Sequence, residues 1–314
     1  MITKPSPCLL YCLLLLGLTG HPAEACAIPV AHFALEHWQP DSYRLRLVHA
    51  GDLPDSLAGR HRSANLVIDL QLDPTATTTR MELRRRRQAN DAPPLWTATI
   101  DDDLDSSLDA LTDSPLRRQV ARELLDRRTA VWVLIDGRDR RANEAAAERL
   151  QRSLTHLERT VPFPDPQLWG IDPTGLPRHP SFIVLRVSPD DPAEQVFIQM
   201  LLAIEPDLHD FPDQAKAIPI FGRGRALHAL VGAGINAATI RESVEFLAGP
   251  CSCIVKEANP GVDLLFTVDW ERQVTRLTRE DIIPAPTSLG SFLDRADQAS
   301  QQLDDDADAG ETAP

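Results

Sequence analysis

Residues 130–135 read Ala130-Val131-Trp132-Val133-Leu134-Ile135, six apolar residues in succession. A strand with one wet face alternates, so an unbroken run of this length predicts a strand covered on both faces. Asp136-Gly137 then supplies a turn, and Leu150, Leu154 and Leu157 recur at helical spacing over 141–159. A Pro-rich loop over 162–180 leads to Phe182–Val187 (FIVLRV), a second buried strand. Asp191, Pro192 and Glu194 predict a capped helix start, followed by an apolar stripe of Val196, Phe197, Met200, Leu201 and Ile204. Two short strands are expected at 218–221 and 226–231, joined by Gly222-Arg223-Gly224. Thr239 and Glu242 predict a capping box for a helix that ends at Gly249-Pro250. A β-hairpin is expected next, with 251–256 and 262–270 flanking Asn259-Pro260-Gly261.

In order, residues 130–249 give strand, helix, strand, helix, strand, strand, helix. This resembles the thioredoxin-like βαβαββα unit, within an α/β fold class. The third strand of that unit normally follows a cis-proline, and Pro219 stands at the matching place. The redox cysteine pair of such a unit would open the helix after the first strand. That position reads Asp136-Gly137-Arg138-Asp139-Arg140 and holds no thiol. A non-catalytic binding or structural domain is therefore the leading expectation.

Upstream lies a smaller α/β region over 26–128. A helix over 28–38 places Ala31, Leu35 and Trp38 on one face, and strands follow at Tyr43–His49 and Leu66–Leu72. Residues 73–103, rich in Thr, Arg, Pro and Asp, are expected to be an irregular connection with one strand near 95–100. Ser114-Pro115 opens a helix to about residue 127, with serine capping and proline in the first turn. Residues 129–286 form the second domain with its hairpin, and 287–314 an acidic, largely disordered tail.

The start of the chain predicts export. Lys4 precedes a short apolar stretch containing Leu9, Leu10 and Leu13 to Leu16, and Ala23-Glu24-Ala25 is a small-x-small cleavage site. That stretch is shorter than the roughly 20 apolar residues a bilayer span needs. Cys26 would be the first mature residue, and two readings of it stay open. Glu24 and the immediate helix argue for simple cleavage. The odd count of mature cysteines, Cys26, Cys251 and Cys253, argues for a lipid anchor at Cys26, which would leave an even pair. The expected location is the periplasm or cell envelope, or beyond it.

A formal net charge of −14 disfavours nucleic acid and anionic membrane surfaces as partners. The run Arg84 to Arg87 is expected to be a loop compensated by Asp101, Asp102 and Asp103. A protein or another envelope component is the expected partner. Among candidate sites, Cys251-Ser252-Cys253 ranks first. On an extended strand both sulfurs would share a face and could hold copper or zinc, or form a reducible disulfide. Structural pairing with each other or with Cys26 takes precedence, since exported domains routinely carry disulfide staples. His32, Glu36 and His37 lack the spacing of a zinc-protease helix. Gly232-Ala233-Gly234-Ile235-Asn236-Ala237 matches a dinucleotide fingerprint, yet a tight strand-to-helix turn explains it better. No serine elbow, Walker loop, EF-hand or Cys-x-x-Cys is present.

Cys26-Ala-Ile-Pro-Val, Ala34-Leu35-Glu36-His37-Trp38, Ala130-Val-Trp-Val-Leu134, Ile218-Pro-Ile-Phe-Gly-Arg-Gly-Arg-Ala-Leu227, Gly249-Pro-Cys-Ser-Cys253 and Asn259-Pro-Gly-Val-Asp-Leu-Leu265 resemble a family of exported planctomycete proteins. The resemblance implies export and the domain layout above. It implies no activity and supplies no catalytic residues. The alternative to a binding role is a thiol-disulfide or copper-binding protein using Cys251 and Cys253.

Overall fold

A computed structural model of the chain describes residues 28–51, 63–86, 88, 92–100, 103–165, 177–251 and 256–281. The export signal, Cys26, Ser252, Cys253 and the acidic tail 287–314 lie outside the described residues. Helix α1 (Val30–His37) leads into strands β1 (Tyr43–His49), β2 (Leu66–Leu72), β3 (Thr79–Arg85) and β4 (Trp96–Ile100). These four pair in the order β2-β1-β3-β4, with β1 and β2 parallel and the other pairs antiparallel. Strand β3 corrects the expectation of an irregular stretch. Its arginines give it the composition of a loop, but Met81 and Leu83 alternate inward and are fully buried. On the other face Glu82 gathers Arg80 at 3.0 Å and Arg46 at 3.8 Å, which offsets the crowding of cations. Arg84 and Arg85 thus belong to a strand. Asp103 caps helix α2 (Leu104–Thr112) by accepting from the Ser106 N–H.

Helix α3 (Pro115–Leu125) starts as expected, with Ser114 accepting from the Arg117 N–H. Strand β5 (Ala130–Ile135) is buried at all six positions. Helix α4 (Arg140–Thr160), strand β6 (Phe182–Val187), helix α5 (Gln195–Leu202) and strands β7 (Lys216–Phe221), β8 (Arg225–Ala226) and β9 (Leu230–Val231) follow. Helix α6 (Ala237–Ala248) and strand β10 (Val262–Asp263) complete the compact unit, which extends to Asp269. Its second sheet runs β10-β8-β7-β5-β6, with β9 also on β7. Strands β5 and β6 are parallel, whereas β7 is antiparallel to β5, β8 and β9. The chain is therefore of the α/β class, with two mixed sheets. Helix α7 (Trp270–Asp281) belongs to a separate unit. No helix among the described residues is long and apolar enough to cross a membrane.

Pro219 is not preceded by a cis bond; the described residues contain none. It sits fourth in β7, extended and in register with Trp132. Its carbonyl accepts from the Leu227 N–H, so the missing proline N–H points toward that same side. There the ladder is already interrupted, because Ala226 of β8 faces Ile220 and Leu230 of β9 faces Ala217. A trans proline fits this gap without costing a sheet hydrogen bond. The same gap splits the single strand expected over 226–231.

Other local corrections have equally plain causes. Glu194 does not cap its own helix. Its carboxylate accepts the Leu116 N–H at 2.7 Å, serving the start of α3 across the fold. The capping box of α6 is made by Asn236 and Thr239, one turn earlier than expected, because Asn236 is the residue in extended conformation at the junction. Residues 252–255 of the expected hairpin lie outside the described residues; its second arm is reduced to β10, which pairs with β8, while Trp270 opens a helix. Residues 256–258 form a short 3-10 turn.

Helix α1 joins the core of the second sheet. Val30, Ala31, Ala34 and Trp38 pack with Phe221 and Leu247 in one buried cluster. Gly222 permits this approach: a Cβ there would lie 2.7 Å from Ala34 Cβ, and its φ of +57° already disfavours other residues. His32 on α1 meets the ring of Phe163 edge-on, at 5.1 Å between centroids. Burial, aided by the Arg127 charge, lowers its pKa to about 4. The unfolded chain takes up a proton near the ordinary value while the folded one does not, so stability falls as pH drops from 6.5 toward 4. The loss approaches about 3 kcal/mol. Urea titrations from pH 7 to 4 should show a shallower decline in His32→Gln; an unchanged decline would assign the acid sensitivity elsewhere.

Candidate functional site

A cleft of about 800 Å³ opens where the start of β1 and the end of β3 face β8 and β10. Its floor is a buried ionic cluster centred on Asp263. Arg225 Nη1 donates to Asp263 Oδ1 at 2.8 Å, and Lys256 Nζ donates to Oδ2 at 2.7 Å. The Asp41 N–H also donates to Oδ2, at 2.7 Å, and the Asp41 carboxylate takes a second bond from Lys256 at 2.9 Å. Arg225 also donates through Nε and Nη2 to the carbonyls of Pro260 and Asn259, at 3.0 and 2.9 Å. Lys256 also reaches the Gln39 carbonyl, at 2.6 Å. Each buried charge is thus paired and hydrogen-bonded, the condition under which a buried pair is tolerated.

Local structure explains how these groups meet. Tyr43, the first residue of β1, donates its hydroxyl to the Asp263 carbonyl at 2.9 Å. Burial pushes its phenol up to about 12, partly countered by the nearby Arg85 guanidinium, so it stays a donor at any physiological pH. Gly261 at φ +110° turns the chain into β10, where a Cβ would press 2.6 Å from the Ala226 carbonyl. Toward solvent the cleft is lined by Arg86, Glu205, His209 and Glu257. Charges of both signs therefore line one depression, which suits a polar ligand bearing complementary groups rather than an apolar one.

A second, smaller depression of about 390 Å³ lies at the carboxyl ends of β5 and β6. Asp136 there accepts from Arg186 Nε at 2.7 and 3.0 Å, and Arg186 Nη1 also donates to Glu144 at 2.9 Å. The Gly137 N–H and carbonyl are both bonded by the Asn143 side chain. Asp139 caps α4 through the Arg141 and Ala142 N–H groups. Asp136, Asp139, Asn143 and Arg186 are thus engaged in holding the strand-to-helix junction, while Arg138 pairs with Asp213 at 3.2 Å.

The sulfur site has one described member. Cys251 is 3% exposed and packs in the apolar cluster with Val30, Trp38 and Leu247. It lies outside any strand, and its N–H donates to the Ile28 carbonyl at 3.0 Å. Cys26 and Cys253 lie outside the described residues, as does the shared face expected for the two sulfurs. Among the described residues no group of three or more His, Cys, Asp and Glu could hold a metal ion. Glu36 pairs with Arg127 at 3.3 Å, apart from any zinc-like arrangement with His32. The glycine-rich stretch at 232–234 forms a 3-10 turn between β9 and α6.

Sequence reading missed the Asp263 cluster. Its members are spread from Asp41 to Asp263, and no pair has motif spacing. The one local sign was Asn259-Pro260-Gly261, a turn set between charged residues. Compared with protein-family models, curated proteins and solved structures, the chain matches none.

Proposed function

We propose that this chain is an exported, non-catalytic binding protein of the cell envelope, built on a thioredoxin-like unit, with the cleft above Asp263 as its binding surface. The strand order β8-β7-β5-β6 supports the unit, with β5 and β6 parallel and β7 and β8 antiparallel to their neighbours. The observation that carries the non-catalytic reading is the turn after β5. Where a redox pair would stand, Asp136 and Asp139 are committed to an arginine and to a helix cap. Export is supported by Lys4, the leucine stretch and Ala23-Glu24-Ala25. The ligand class is a polar segment bearing both charges, such as a peptide.

The test has two arms. In insulin reduction by dithiothreitol, the purified protein should leave the rate at background; acceleration would overturn the non-catalytic reading. In thermal unfolding with a panel of acidic, basic and zwitterionic peptides, at least one class should raise Tm. That rise should vanish in Arg86→Glu, which changes an exposed residue at the cleft mouth. A panel without any shift would remove the cleft as the binding surface.

A second reading is a thiol-disulfide or copper-binding protein using Cys251 and Cys253. Its support is the sequence Cys251-Ser252-Cys253, which sets two thiols two residues apart. Alkylation should then modify Cys251 and Cys253 only after mild reduction, or the native mass should carry a stoichiometric copper or zinc ion. Thiols that stay inert after mild reduction, with no ion in the native mass, would remove this reading.

A further inference from the structure

We infer that β2 is a self-association edge, through which two copies of this chain join their first sheets into one continuous sheet. Strand β2 is the outer strand of that sheet, and its pairing with β1 is uninterrupted from Leu66 to Leu72. Edge strands are normally protected by lysine, proline, a bulge or brevity. Here seven residues carry no lysine, proline or bulge. Val67, Leu70 and Leu72 are 49, 57 and 64% exposed, three of the four large hydrophobic residues most exposed among those described.

The backbone supplies the second half of the argument. The Asp73 N–H donates to the His49 carbonyl, and the Tyr43 N–H donates to the Asn65 carbonyl. The odd-numbered residues of this segment therefore bond β1, and in a parallel ladder the alternate ones point away. Leu66, Ile68, Leu70 and Leu72 thus present their N–H and C=O groups outward. Their side chains share the face of Tyr43, Leu45 and Leu47, with which they are in register, and that face is the core face of the sheet.

A two-fold axis through this edge must keep Leu66, Ile68, Leu70 and Leu72 opposite one another, which leaves three central registers. One centres on Ile68 and sets Val67 against Asp69, an apolar side chain against a charge. One centres on Asp69 and sets the two carboxylates directly opposite each other in a close pair. The third centres on Leu70. It sets Leu70 against its own copy, Ile68 against Leu72 and Asp69 against Gln71, with no like charges opposed. Asp69 is already held by Arg44 at 3.1 Å on the polar face. Side-chain pairing selects the Leu70 register, and a second copy satisfies with one isologous contact both the apolar stripe and a backbone edge that no other strand among the described residues pairs.

The test uses the full chain in sedimentation and cross-linking. The wild-type protein should show a concentration-dependent monomer–dimer equilibrium, with Leu70→Lys raising the dissociation constant at least tenfold and leaving the circular dichroism unchanged. Under mild oxidation Leu70→Cys should form a covalent dimer beyond the wild-type background, because facing Cα atoms in a bonded antiparallel pair lie about 5.5 Å apart. Val67→Cys should not, its copies being six residues out of register, or about 20 Å apart. A wild-type chain monomeric at every concentration would overturn the inference, whether the edge is left open or meets a different protein. Faster cross-linking of Asp69→Cys than of Leu70→Cys would overturn the register.

Discussion

Asp263→Ala lowers the free energy of unfolding by about 3–5 kcal/mol, the range for removing one partner from a buried ion pair. Asp263 is 6% exposed and accepts from Arg225, Lys256 and the Asp41 backbone. Its removal leaves a guanidinium and an ammonium facing each other across the floor of the cleft, without the carboxylate that separates them. Arg225 retains the Asn259 and Pro260 carbonyls, and Lys256 retains Gln39 and Asp41, so the loss stays within that range. Urea unfolding followed by circular dichroism gives the difference. An isosteric Asp263→Asn should fall between, since it keeps an acceptor but loses the charge. The double change Asp263→Leu with Arg225→Met should recover part of the deficit, because desolvation of the pair disappears with it. A loss under 1 kcal/mol for Asp263→Ala would mean that water reaches the cluster and that the cleft floor is not sealed.

Trp132→Ala is the second large effect, again about 3–5 kcal/mol. Trp132 is fully buried at the centre of β5, between Val184 of β6 and Pro219 of β7 in register. Its ring belongs to the same cluster as Leu150 and Leu154 of α4, so truncation opens a cavity where strand and helix meet. The indole N–H has no acceptor among the described residues. Trp132→Phe therefore loses volume but no hydrogen bond, and it should cost about 1–2 kcal/mol. A cost for Trp132→Phe equal to that for Trp132→Ala would show that the indole nitrogen has a partner, such as a buried water.

The parts of this protein visible in its sequence are those in which burial is a local pattern. The run at 130–135 announced a central strand, and Ser114-Pro115 announced a helix start, because each signal depends on neighbours along the chain. The apolar spacing of Leu150, Leu154 and Leu157 did the same for α4. Where the deciding contact comes from elsewhere, the sequence misled or said nothing. Strand β3 looks like a charged loop until β1 supplies Arg46 beside Glu82 and the core accepts Met81 and Leu83. Glu194 carries the signature of a helix cap, yet it serves a helix that starts near Leu116. Pro219 invites a cis bond by position, but the break between β8 and β9 makes a trans proline free of cost in the sheet.

The candidate site follows the same division. Sequence alone determined the α/β class and the absence of a thiol in the turn after β5, since both are written in consecutive residues. Tertiary structure decided the cleft: Asp41, Tyr43, Arg225, Lys256 and Asp263 acquire their common meaning only when the two sheets meet. A buried charge is stable only when its partner is close in space, and closeness in space is the property that a linear sequence does not display.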